Sequence, residues 1–391
     1  MAATIASFEV RVFETETRSS RDSNGHRHPG PLAKTTEALL TVRDSDGVEG
    51  RTVVPAVRNV RRDAIENPLL RLMLGMPAVS VEAVQRRLTI AQRGNPVDIA
   101  ERRLAMVDEV LWDLVGRRAG EPVWRLLGGA REKVPAYAST MGGDAIQGGL
   151  STPEEFAAFA VQLVEKGYKA IKLHTWFPPM GEEPSVKRDL AACAAVREAV
   201  GPDIDLMLDG YHWYDRQAAL TIGRGIQELD YLWFEEPMEE ISIPAYKWLS
   251  DQLEIPVIGP ETPTGRNIAR GNWAMAEAVD ILRAGPQNAG GITSAIKALH
   301  LAESVGMTCE VHGNGAPSLA LVGATHVSKW YERGLLHPHT DYDWLPPHLN
   351  SQVDAMDANG FVAMPEDPGL GVDVNVDYVN EHTISRFEVS A

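Results

Sequence analysis

Hydrophobic and polar positions change rhythm once along this chain, near residue 130. Before that point, Phe8 to Thr15 and Thr36 to Arg43 are strand-like, and Asp46-Gly47 reads as a turn. The polar run at 21–31 between those strands predicts a loop. A helix is expected over about 98–117, because Leu104, Val107, Leu111 and Leu114 share one face and Gly116, Gly120 and Pro122 end it. The unit reads as α+β, with antiparallel strands and helices.

From Val134 the pattern becomes short apolar runs separated by amphipathic stretches such as 154–166 and 187–200. Strand candidates fall at 133–139, 168–174, 205–209, 231–235, 256–261, 279–284, 307–312 and 334–337. Eight strands with intervening helices predict a closed barrel of the TIM type or a near variant. The eighth is the least marked, since 313–333 has few polar breaks. The tail leaves this rhythm and ends strand-like from Thr383 to Val389. The expected division is a capping domain at 1–130, a barrel at 131–360 and a segment at 361–391 that returns to the cap.

Three acidic residues give this barrel a chemistry. Asp209, Glu235 and Glu261 each close one of the apolar runs and stand 26 residues apart, the length of one β/α unit. Strand ends in a parallel barrel converge on one mouth. Three carboxylates meeting there form a hard-oxygen site suited to Mg²⁺. A lone strand-end acid is more often a helix cap or a solvated charge; the matched spacing sets these three apart.

Composition narrows the class. With 391 residues, 44% hydrophobic and 23% charged, the chain reads as globular, and no apolar run is long enough to span a bilayer. Its start lacks an export signal, and two cysteines, Cys193 and Cys309, supply no disulfide framework, which suits the cytoplasm. The net charge of −17 argues against a nucleic-acid partner. It does not exclude an anionic substrate, because a divalent ion and local lysines can reverse the field within one pocket.

The ordered motifs are similar to those of the mandelate racemase/muconate lactonising branch of the enolase superfamily. They include Val110 to Gly116 with Pro122 to Gly129, Gly167-Tyr-Lys-Ala-Ile-Lys172, Asp209, Trp233-Phe-Glu-Glu-Pro237, Pro256 to Glu261, Gly290-Gly-Ile-Thr293 and Pro368 to Gly371. The resemblance implies an α/β architecture: a modified (β/α)7β barrel with an N-terminal α+β cap completed by the C-terminal tail. It also implies one Mg²⁺ per subunit on Asp209, Glu235 and Glu261, a small carboxylate substrate, and loss of its α-proton to form an enediolate. A symmetric homo-oligomer is the family habit.

Several positions depart from the family pattern. Lys172 and His174 lie two apart on one strand and so face the same way. The family has Lys-x-Lys here, which makes His174 the expected base and Lys172 the cation balancing the substrate carboxylate. Histidine already titrates near neutral pH. His312 stands where the branch keeps a histidine on the opposite face, but Gly285 occupies the place of its usual aspartate partner. His312 is therefore expected as a general acid. His337 falls where a glutamate is common, with His339 nearby as a competitor. Tyr211, His212 and Trp176 are candidate substrate contacts at the mouth, as are His26 and His28 from the cap. Glu236 is expected to support its loop.

The chemistry expected is dehydration of an acid sugar to a 2-keto-3-deoxy acid, a hydro-lyase reaction. An isomerase (racemase, epimerase or cycloisomerase of a lactone or anhydro sugar) would share its first step. A barrel that has lost catalysis and only binds metal is the reading from another class.

Overall fold

A computed structural model describes residues 2–21, 27–55, 70–92, 101–177 and 184–391. Strands β1 (Ile5–Arg21), β2 (Arg27–Asp44) and β3 (Glu49–Pro55) form an antiparallel sheet, in which β1 also pairs with the last strand of the chain, Thr383–Ser390. The described residues of the polar run expected as a loop, 21 and 27–31, are strand: β1 extends to Arg21 and β2 begins at Arg27. A two-stranded arm wetted on both sides needs no apolar alternation, so its sequence does not announce it. Helix α1 (Val81–Gln92) and the long α2 (Glu101–Ala119) cover the sheet. Gly50 allows the close approach of β3 to α2, since a Cβ there would lie 2.4 Å from the Val110 carbonyl oxygen.

The barrel strands are β4 (Lys133–Thr140), β5 (Ala170–His174), β6 (Asp205–Asp209), β7 (Trp233–Glu235), β8 (Val257–Gly259), β9 (Ile281–Arg283), β10 (Thr308–Glu310) and β11 (Tyr331–Leu336). One parallel ladder runs from β10 back through β4 and on to β11. The two end strands approach through side chains: Gly313 N donates to Glu332 Oε2 at 2.8 Å, and Glu310 accepts from Lys329 N. Among the described residues a helix follows each of the first seven barrel strands, giving the (β/α)7β order. The eighth strand starts three residues before its expected position. Its charged residues Glu332 and Arg333 are both buried, one against the barrel interior, so polarity hid the strand.

Outward positions such as Ile171, Leu173, Leu206, Leu208 and Phe234 pack against the helices, while Tyr137, Ala170, Met207, Trp233 and Ile258 form a separate apolar cluster. The tail contributes β12 (Phe361–Ala363), paired with β4, before β13 (Thr383–Ser390) joins the cap sheet. Asp113 ties the parts together, accepting from Arg51 N on β3 and Leu370 N in the tail. Among the described residues no helix is long and apolar enough to cross a membrane.

Candidate active site

Register places the predicted residues at one level. His174 pairs with Asp209, and Asp209 with Glu235, across three adjacent strands. All three lie at the C-terminal strand ends, where their inward phase directs them to the mouth. Glu261 lies just past β8, whose ladder ends at Gly259 because Pro260 has no N–H to donate. It is held instead by Glu240, which accepts from Glu261 N and Thr262 N, both at 2.7 Å.

Lys172 is the hub of the carboxylates. Its Nζ lies 3.1 Å from Asp209 Oδ2, 3.1 Å from Glu235 Oε2 and 3.2 Å from Glu332 Oε1. Burial alone would push its ammonium down, but Glu235, Glu332 and Asp209 hold it well above the usual lysine range. It is a fixed cation, unsuited to accepting a proton.

Two residues of this ring escaped the sequence reading. Arg283, fully buried at the end of β9, lies 2.8 Å from Glu235 and 2.9 Å from Glu332. A charged residue closing an apolar strand run was the available signal. Glu332 had none, because it preceded the expected strand. The ring carries four carboxylates (Asp209, Glu235, Glu261, Glu332) against two fixed cations (Lys172, Arg283). With all four ionised, as metal ligation requires, two negative charges are left without a permanent counter-charge, and burial makes that costly. One divalent cation fits this deficit and the all-oxygen donor set.

His174 Nε2 is 2.9 Å from Asp209 Oδ2, while its buried Nδ1 has no hydrogen-bond partner. A buried polar atom without a partner costs about 1–3 kcal/mol. Across the mouth, His312 Nε2 is 3.1 Å from Glu261 Oε1. Desolvation holds this imidazole below its usual range, although 31% of its side chain is exposed. A Cβ on Gly285 would meet His312 O at 2.7 Å and its Nδ1 at 3.1 Å, so the ring lies directly against the residue that replaces the expected aspartate. Asn288 Nδ2 also donates to Glu261 at 3.2 Å.

The remaining candidates disperse. His337 is held within the protein: its Nδ1 accepts from His339 N at 3.1 Å and its Nε2 donates to Asp144 Oδ2 at 2.6 Å, so both nitrogens are engaged. Burial raises the Asp144 carboxyl, but hydrogen bonds from His337, Ile146 N and Leu150 N outweigh it and hold the group below its ordinary range. Trp176 is 2% exposed, packed edge-on against Phe156 and under Arg188, which places it in the core rather than on a substrate wall. Tyr211 stacks on Phe177 at 4.3 Å, and Tyr211 and His212 both adopt left-handed backbone conformations. Such strain in non-glycine residues concentrates at functional sites. His28 lies near the tip of the cap hairpin opposite Ser20, and His26 falls outside the described residues.

His212, Glu236 and Glu240 bring one ligand atom each within 4.8 Å of one another. Both Glu240 oxygens are already used by the Glu261 loop. Burial, then the charges of Glu261, Glu240 and Asp209, push the Glu236 carboxyl well above its usual range. These groups brace the loop.

The chain is similar to known proteins along most of its length. Residues 15–128 match the mandelate racemase/muconate lactonizing enzyme N-terminal domain, and residues 155–379 match the enolase C-terminal domain-like family. The crystal structure of D-glucarate dehydratase from Agrobacterium tumefaciens complexed with magnesium is 50% identical, with a TM-score of 0.95 over 98% of this chain and 99% of that one. L-talarate/galactarate dehydratase of Salmonella typhimurium is 26% identical over 87% of this chain and 81% of its own. D-galactarolactone cycloisomerase of Agrobacterium fabrum is 32% identical over 71% and 73%. The chain belongs to the mandelate racemase/muconate lactonising branch of the enolase superfamily.

Proposed function

We propose that this protein is a Mg²⁺-dependent acid-sugar dehydratase acting on a sugar diacid of the glucarate class. The observation that carries the reading is the buried ring of strand-end carboxylates, with Lys172 and His174 on one side and His312 on the other. Asp209, Glu235 and Glu261 would hold the ion, and Lys172, Arg283 and Glu332 would frame it. Mg²⁺ bound there would supply positive charge against the substrate carboxylate as its charge grows.

His174 takes the α-proton, and the C–H electron pair enters the carboxylate to give the enediolate. Lys172 is already protonated and offsets the second negative charge as it forms, which matters most where water is excluded. The enediolate then reforms its carboxyl while the β-carbon–oxygen bond breaks. The hydroxyl leaves as water with a proton from His312, and the resulting enol tautomerises to the 2-keto-3-deoxy acid. A neutral imidazole does not give up its last proton, so His312 donates as the imidazolium, a form that the negative charge of the bound diacid favours against burial. Phe177 and Tyr211 form a stacked aromatic pair beside the His174 loop and the Asp209 loop.

A second reading has support from the two imidazoles on opposite sides: epimerisation, or cycloisomerisation as in the 32% identical relative. Incubation with glucarate, galactarate and their lactones in deuterated water distinguishes them. A dehydratase yields a 2-keto acid. An epimerase exchanges the α-proton without forming one, a cycloisomerase forms one only from the lactone and without loss of water, and an inert scaffold does neither. A His174→Asn variant that kept full turnover would sink the base assignment.

A further inference from the structure

We propose that Arg283 is a positioning residue that sets the spacing of the carboxylates for a single divalent ion, through the fork of its guanidinium rather than through its charge alone. The inference rests on the metal-dependent reading above and concerns how this chain builds that site. Nη2 donates to Glu332 Oε2 at 2.9 Å and to the Tyr137 hydroxyl at 3.1 Å, which uses both its hydrogens, and it lies 2.8 Å from Glu235 Oε1 as an ion pair without hydrogen-bond geometry. Nη1 donates to the Val311 carbonyl at 3.3 Å, anchoring the plane to the segment that carries His312. Nε is buried without a hydrogen-bond partner and lies 3.9 Å from Glu261 Oε2, beyond bonding reach.

The side chain thereby touches β7, β11 and β4 and faces the loop after β8. A planar fork with donors at fixed angles can hold that arrangement. An ammonium is a point charge on a flexible stem and cannot address the Val311 carbonyl and the carboxylates together. Gly285, two residues on and in the same inward phase, completes the logic. With no side chain at 285, His312 rests against the backbone, and β9 delivers a buried cation beneath it.

The test separates fork from charge by measuring Mg²⁺ affinity without substrate, by isothermal titration calorimetry on Arg283→Lys and Arg283→Met. The fork account expects both to weaken Mg²⁺ binding tenfold or more. It also expects kcat on the preferred sugar acid to fall more than KM rises, with secondary structure retained by circular dichroism. A pure charge role predicts wild-type affinity for Arg283→Lys and tighter binding for Arg283→Met, and either result overturns the proposal. Tyr137→Phe removes one acceptor while leaving Arg283 in place, and covers the case in which the Arg283 variants do not fold. A two- to fivefold loss of Mg²⁺ affinity is expected there, and an unchanged affinity counts against the fork. Wild-type protein that binds no Mg²⁺ overturns both this inference and the function it rests on. Wild-type binding with equal binding by the variants overturns this one alone.

Discussion

Adding Mg²⁺ should stabilise the folded chain by an amount that follows from the ring's charge deficit. Four carboxylates face two fixed cations, and the unfolded chain offers no comparable cluster. An ion that binds only the folded state adds about 2.7 kcal/mol at one hundred times its Kd. Unfolding entropy of about 2.1 cal/mol/K per residue gives about 0.8 kcal/mol/K for 391 residues. The midpoint should therefore rise by about 3 °C between excess chelator and that Mg²⁺ concentration. The assay is thermal unfolding followed by circular dichroism, with Kd taken from calorimetry. Glu261→Gln supplies the control. Burial pushes this carboxyl well above its ordinary range, Arg283 only partly relieves it, and Glu235 and Asp209 add to the rise. Burial keeps the proton on Glu261 in the chelated protein, so the neutral amide should leave that state no less stable than wild type while abolishing the Mg²⁺ increment. A wild-type midpoint indifferent to Mg²⁺, or an increment that survives in Glu261→Gln, would refute the charge argument.

Other expectations follow from the same contacts. His174→Asn should lower kcat by about 10²–10⁴-fold and abolish α-proton exchange while keeping the Mg²⁺-dependent rise in midpoint; parallel loss of both would mean the histidine serves the metal site instead. Gly50→Ala should destabilise by about 1–3 kcal/mol, since its Cβ would meet Val110 O at 2.4 Å and Leu114 N at 2.5 Å, both backbone atoms; urea unfolding checks this. Glu109 lies buried on α2, and burial, then the Asp108 charge, raise its carboxyl to about 8. Its folded-state affinity for a proton exceeds the unfolded one, so its stability contribution is intact below about pH 4.5 and is lost as pH rises through about 8, by up to about 5 kcal/mol. Glu109→Gln should flatten that decline between pH 5 and 9 in urea titrations, and an identical slope in wild type and variant would discount the burial argument.

The order of elements and the three ligand candidates were legible in the chain alone because both are local matters. A strand buried in a parallel barrel reads as a short apolar run, and an acid that ends such a run stands out against it. The equal spacing of Asp209, Glu235 and Glu261 encodes the repeat that brings them together. Lys172 and His174 were readable for the same reason, through the alternation of side chains along one strand. What lay beyond that reading depended on neighbours distant in sequence. Glu332 is polar where a strand should be apolar, and only its contacts with Lys172 and Arg283, 160 and 49 positions away, explain why it is buried. His337 looked catalytic by position, and its hydrogen bond to Asp144, 193 residues earlier, had no local sign. A local pattern records which face of an element is wet or dry; it holds no record of which charge meets which once the barrel closes, and that pairing decides the chemistry.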